Sequence, residues 1–234
     1  MIDLRSDICS LPTDEMWEAM RAARLGWATY GDDPSVNELE EVYSELPGEL
    51  APKLALACAL ELKGDAARAG SLDARVALTD PTSASAAFGL ARCRMRNGDR
   101  AGAAAALQGV PATSSAHARA QVTLCRVLAT EVNGTKPSLA DLVAASQAIE
   151  QLQVDAEIRF GLTREILTSA LAMLAAGSIR PDGSTRIGGA VLNEREVRKG
   201  LEKTCRELAR YAPTRAEKIA LIDKANEYRP LTLT

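Results

Sequence analysis

Histidine is nearly missing from this 234-residue chain, where His117 is the one example. Cysteine occurs five times, at Cys9, Cys58, Cys93, Cys125 and Cys205, with no C-x-x-C pair. That scarcity removes the usual ligand sets for zinc and iron–sulfur centres, so no metal is expected. An odd number of irregularly spaced thiols is not a disulfide framework either, and it fits reduced cysteine in a cytoplasm. Aromatic residues make up 3% of the chain and the formal net charge is −3. Nucleic acid is therefore excluded as a partner, for want of both a stacking platform and a basic footprint. The longest apolar window, residues 54–62, is about half of what a bilayer span needs. The opening Met1-Ile2-Asp3-Leu4-Arg5-Ser6-Asp7 carries acids where a signal peptide has a basic and then an apolar stretch. Sixteen glycines and ten prolines are too few for a collagen-like or low-complexity chain. What remains, 47% hydrophobic and 25% charged residues, is an ordinary globular composition. A chain of this length buries roughly 70% or more of its unfolded surface without a disulfide or a metal.

The positive signal is internal repetition. Gly64-Asp65 and Gly98-Asp99 stand 34 residues apart, as do Pro47 and Pro81. Thirty-four is the tetratricopeptide period, in which a first helix, a Gly-containing turn and a second helix ending near proline form one unit. The pattern predicts a first helix over 53–62 and a second over 66–76, then another pair over 84–96 and around Ala103 and Leu107 before Pro111. Upstream, residues 35–46 place Val36, Leu39, Val42, Tyr43 and Leu46 at helical spacing and stop at Pro47-Gly48, a second helix without its first. Downstream the period decays: 116–130 and 139–152 read as a third pair hinged at Gly134. A long helix over 155–176 follows, and then a glycine-rich loop over 177–190. Helices over 194–211 and 214–228 close the chain, the last opened by Thr214 with Glu217 as a capping box. The expected fold class is all-α, a tetratricopeptide-type helical-hairpin solenoid with a short N-terminal arm. Its expected parts are the arm at 1–34, helix pairs with a truncated first unit at 35–154, and C-terminal helices at 155–234.

Three runs carry a family resemblance: Pro47-Gly48-Glu49-Leu50-Ala51-Pro52-Lys53-Leu54-Ala55-Leu56-Ala57, then Ser85-Ala86-Ala87-Phe88-Gly89-Leu90-Ala91-Arg92, and the ending Leu221-Ile222-Asp223-Lys224-Ala225-Asn226-Glu227-Tyr228-Arg229-Pro230. Over about residues 42–230 the chain resembles the C-terminal tetratricopeptide region of the actinobacterial serine/threonine protein kinase G family. That resemblance implies a helical array associated with dimer formation and protein contacts. The family's kinase signatures and rubredoxin-like C-x-x-C knuckles are missing from these residues: His117 is followed by Ala118-Arg119 where a catalytic loop has Arg-Asp.

The first 40 residues resemble a different family. Asp3-Leu4-Arg5-Ser6-Asp7, Pro12-Thr13 with Met16, and Tyr30-Gly31-Asp32-Asp33-Pro34-Ser35-Val36-Asn37-Glu38-Leu39-Glu40 are similar to the start of threonine aldolases and related β-eliminating lyases, which use pyridoxal phosphate. In that family the serine matching Ser6 helps hold the substrate carboxylate. Pyridoxal phosphate chemistry needs a Schiff-base lysine and a phosphate cradle, and no lysine lies in this segment. No cofactor is therefore expected. The two resemblances meet at Asn37-Glu38-Leu39-Glu40-Glu41, which suggests a joining of two parents.

The candidate site residues are few. Arg92, Arg94 and Arg96 crowd one predicted helix with Arg100 nearby, and such a cluster could receive an acidic peptide. Residues spaced by two cannot share one helical face, so Arg92 and Arg96, four apart, are the candidate protein-binding pair. Cys58, Cys93 and Cys125 fall in successive first helices and are expected to pack as small apolar residues. The lysines default to solvated surface, and His117 to a solvated or structural role. No catalytic residue is expected. The function these features imply is a non-catalytic scaffold for a protein partner or a homodimer. The alternatives are a threonine aldolase-like lyase and a regulatory remnant competing for a kinase dimer surface.

Overall fold

The computed structural model describes residues 34–132 and 134–230. These residues form ten helices and one two-stranded hairpin: α1 (Pro34–Glu45), α2 (Leu50–Lys63), α3 (Ala66–Thr79), α4 (Ala84–Arg96), α5 (Arg100–Gln108), α6 (His117–Ala129), α7 (Leu139–Gln151), α8 (Ala156–Ala175), β1 (Asp182–Ile187), β2 (Ala190–Leu192), α9 (Glu194–Leu208) and α10 (Arg215–Tyr228).

The Gly-Asp pairs have a mechanical reason. Gly64 at φ +93° and Gly98 at φ +78° take the left-handed backbone that closes α2 and α4. The following aspartate then opens the next helix: Asp65 accepts from Arg68 N at 3.0 Å and Asp99 from Gly102 N at 2.8 Å. Each pair thus ends one helix and starts its antiparallel neighbour within two residues. Further along, Ser138 and Asp141 form a reciprocal capping box at the start of α7. Asn193 caps α9, and Thr214 caps α10 through Glu217 N.

Consecutive helices pack on one another from α1 to α10, and α2 also meets α4, as α6 meets α8. This is the all-α tetratricopeptide-type solenoid expected from the 34-residue period. The apolar interior falls into two clusters that meet on α4. Val36, Leu56, Ala57, Leu60, Ala66, Ala69, Leu72 and Cys93 form the N-terminal one. Phe88, Ala91, Leu107, Leu124, Leu142, Leu162 and Leu201 belong to the other, which continues to the far end. Each fully buried leucine contributes on the order of 2 kcal/mol.

Three expectations are corrected. The stretch at 177–190 holds β1 and runs into β2, joined through Gly188 at φ +56° and Gly189 at φ +80°. Its inward residues, Ile187 and Leu192, are fully buried, and Gly188 N donates to Ser146 Oγ at 2.8 Å, fastening the hairpin to α7. A side chain at Gly188 would meet Leu167 and Thr163 at 3.1 Å, so glycine is what lets the turn reach α8. Cys58 is exposed, because its position on α2 points away from the stripe of Leu56, Ala57 and Leu60. Lys53 is buried: its Nζ donates to the carbonyls of Pro47 and Glu49 and lies 5.6 Å from the centre of the Tyr43 ring. Ser6, Asp7 and Cys9 lie outside the described residues.

Candidate functional site

Arg92 and Arg96 are one helical turn apart on α4, and both reach back to a single acid on α2, Glu61. Arg92 holds it with two prongs, Nε to Oε1 at 2.8 Å and Nη2 to Oε2 at 2.8 Å. Arg96 donates Nη1 to the Glu61 backbone carbonyl at 2.8 Å and brings Nη2 within 3.5 Å of its carboxylate. The Glu61 side chain is 9% exposed, whereas those of Arg92 and Arg96 are 56% and 51% exposed. The hydrogen bond from Arg92, aided by the charges of both arginines, outweighs burial and holds the Glu61 carboxyl below its ordinary range. The same bond raises Arg92, so this pair is ionised throughout the working range of pH.

The other two arginines of the cluster go elsewhere. Arg94 turns to Asp99 at 2.6 Å, across the turn that follows α4. Arg100 points the opposite way along the array, with a side chain only 10% exposed. It donates to the carbonyls of Val127, Thr130, Thr135 and Lys136 at 2.7 to 3.1 Å, and lies 3.5 Å from Asp141. The Val127 and Thr130 carbonyls lie at the end of α6, where a helix terminus leaves carbonyls without intrahelical donors, and those of Thr135 and Lys136 lie in the loop leading to α7. Arg100 is a fastener between repeats.

A second carboxylate sits behind the arginine pair. Asp73 of α3 is 4% exposed. Its carboxylate rests on Gly89 of α4 so closely that a Cβ there would stand 2.3 Å from Oδ2. Burial pushes the Asp73 pKa up to about 6, with Arg92 opposing the rise and Glu61 adding to it. One detectable signal existed in the sequence: Asp73 interrupts the inward stripe of Ala69, Leu72 and Val76.

His117 is structural, its Nδ1 sharing a hydrogen bond with the Val110 carbonyl at 2.9 Å. Burial raises the thiols of Cys93 and Cys205 and pushes Cys125 up to about 11. Among the described residues no group of acids, cysteines and histidine is arranged to hold a metal ion, and no helix is long and apolar enough to cross a membrane.

A family model described as "Protein kinase G tetratricopeptide repeat" matches residues 23–232. The sequence is similar to the serine/threonine-protein kinase PknG of Mycolicibacterium smegmatis, with 35% identity over 227 residues covering 90% of this chain and 29% of that kinase. Its likeness to PknG of Mycobacterium leprae is 34% over 190 residues, or 81% of this chain and 24% of the kinase. The chain thus spans well under half of these curated relatives. A shorter likeness, 53% identity over 51 residues, connects it to the low specificity L-threonine aldolase of Escherichia coli and covers 15% of that enzyme. The kinase-region match begins at residue 23, upstream of the point near 42 where the motifs first become dense, and so overlaps the lyase-like opening.

Proposed function

Because this chain belongs to the protein kinase G tetratricopeptide-repeat family, we propose that it is a non-catalytic scaffold that joins proteins, either a partner or a second copy of itself. The observation that carries this reading is the exposed apolar side chains on the first and last described helices. On α1, Val42 and Leu46 are 41% and 49% exposed, while α10 buries only Ala225 and leaves Ile219 51% exposed. Helix-pair units bury their apolar faces against neighbours, so exposed apolar side chains on such helices suit contact with another protein surface. The half-exposed guanidinium groups of Arg92 and Arg96 supply the charged part of recognition, where an acidic segment would share them with Glu61. Free thiols at Cys58, Cys93, Cys125 and Cys205 suit a reducing cytoplasm.

Light scattering on the full chain and on a version starting at Ser35, paired with capture of a full-length kinase of the family, tests the proposal. A dimer, or a mixed complex with the kinase, is expected. A monomer that captures neither itself nor the kinase would sink it. A mixed complex that forms at the expense of kinase dimers would identify the chain as a competitor for that dimer surface.

The threonine aldolase likeness supports a second reading, a pyridoxal-phosphate lyase. Titrating pyridoxal phosphate into the pure chain is expected to leave its absorbance unchanged. A new Schiff-base band would revive the lyase.

A further inference from the structure

We propose that a groove on α10 receives α1 of a second copy, so that chains join head to tail. The inference rests on the scaffold reading and gives it a partner, a surface and an order of assembly.

The groove lies where the turn after α9 enters α10, and Pro213, Arg215, Lys218, Ile219, Ile222 and Asp223 line it. Its floor is apolar: Ile219 is exposed and Ile222 half-buried, because α10 turns only Ala225 fully inward. Its rim is basic. Arg215 and Lys218 are both exposed, and among the described residues neither is in an ion pair, whereas Lys224 further along is held by Glu227. Asp223 is the one acid in the lining. An apolar floor beside two available bases suits a helix that carries apolar residues beside acids.

Such a helix is α1. Its inner side is committed: Val36 is buried, Glu40 pairs with Arg68 at 2.6 Å, and the Tyr43 hydroxyl accepts from Arg75 at 3.2 Å, both partners being on α3. Its outer side carries Glu38, Glu41 and Glu45 next to Val42 and Leu46, all five exposed. Among the described residues none of these three acids is in an ion pair. The spacing on the two helices matches with opposite sign. Glu38, Glu41 and Val42 stand at i, i+3 and i+4, as do Arg215, Lys218 and Ile219. Laid in parallel, the helices bring Glu38 to Arg215, Glu41 to Lys218 and Val42 to Ile219, and set Leu46 within one residue of the level of Ile222.

The two faces differ, and they belong to opposite ends of the packing order, α1 against α2 and α10 against α9. A copy that gives its α1 to a neighbour keeps its own groove for the next. Such a heterologous contact grows into a ring or an open row of copies, and its charge pairs make it weaken as salt is added.

Sedimentation of the full chain over a range of concentrations at low salt tests this, with two double variants. One carries Glu38→Lys and Glu41→Lys, the other Arg215→Glu and Lys218→Glu. The wild-type mass is expected to rise with concentration, and each variant alone to associate at least about tenfold more weakly. An equal mixture of the two should recover association, because the intact groove of one meets the intact α1 of the other. A wild type that stays monomeric, association unchanged in either variant, or a mixture that stays apart overturns the head-to-tail join. Should a charge-reversed variant fail to fold, glutamine at the same two positions replaces it, with the same weakening expected and unchanged association counting against the join. A monomeric chain that still captures the kinase overturns this inference alone and leaves the scaffold reading standing.

Discussion

Glu61 and Arg92 are joined by a two-pronged ion pair across α2 and α4, 31 residues apart in sequence, with the acid buried and the base half exposed. Removing Arg92 leaves the acid with only the longer contact to Arg96. Arg92→Ala should cost about 1–2 kcal/mol by denaturant unfolding, and Arg92→Lys should recover less than half, since an ammonium cannot hold both oxygens. The pair also sets an acid limit. Glu61 is held below its ordinary 4.5 in the folded state, so its contribution is complete above that value and is lost as pH falls through the depressed one. Glu61→Gln should flatten the acid limb of a stability–pH curve below about pH 4.5.

Arg100 should matter more than any other arginine of its cluster. Its side chain satisfies four backbone carbonyls at the end of α6 and the loop beyond, from a nearly buried position. Arg100→Ala is expected to cost about 2–4 kcal/mol. Arg94→Ala, which loses only an exposed pair with Asp99, should change unfolding by less than about 1 kcal/mol.

Gly89 and Asp73 should show strong coupling. Alanine at Gly89 is favoured by about 1 kcal/mol of helix propensity, yet its Cβ would overlap Asp73 Oδ2. Gly89→Ala alone is expected to destabilise by about 1–3 kcal/mol. Combined with Asp73→Ala, which clears the space, much of that penalty should disappear in a double-mutant cycle. Additive effects would contradict the close approach.

Thiol labelling should separate the cysteines. With Cys9 replaced by serine, one described thiol is expected to react quickly in the native chain, and Cys58→Ser should abolish that reaction. Cys93, Cys125 and Cys205, buried and raised, should label only after unfolding.

The architecture was legible in the sequence because its punctuation is local. Gly64-Asp65 and Gly98-Asp99 announce a left-handed closure and a cap in adjacent residues, and the inward stripes keep a helical period. The hairpin was not legible: β1 reads Asp-Gly-Ser-Thr-Arg-Ile, five residues of turn-like or polar character with one apolar anchor, and its buried contacts lie on α7 and α8. The pairing of Arg92 with Arg96 followed from a spacing of four, but the acid that joins them comes from another repeat. Arg100 looked like a member of the same cluster. Only the fold shows it turned toward the opposite neighbour, because direction around a helix two turns away depends on where the intervening turn sets the next axis. Asp73 left a trace as an acid in an apolar stripe, whereas its contact with Gly89 is purely tertiary.

The meeting of two apolar clusters on α4 has a mechanical consequence. Pulled apart by its ends, such a chain does not yield as one body. The segment before α4 shares a small interior of its own and should extend first as one short event, leaving the longer remainder intact until a higher load. A molecule that links two others would thereby have a compliant end and a stiff one, with α4 as the boundary between them.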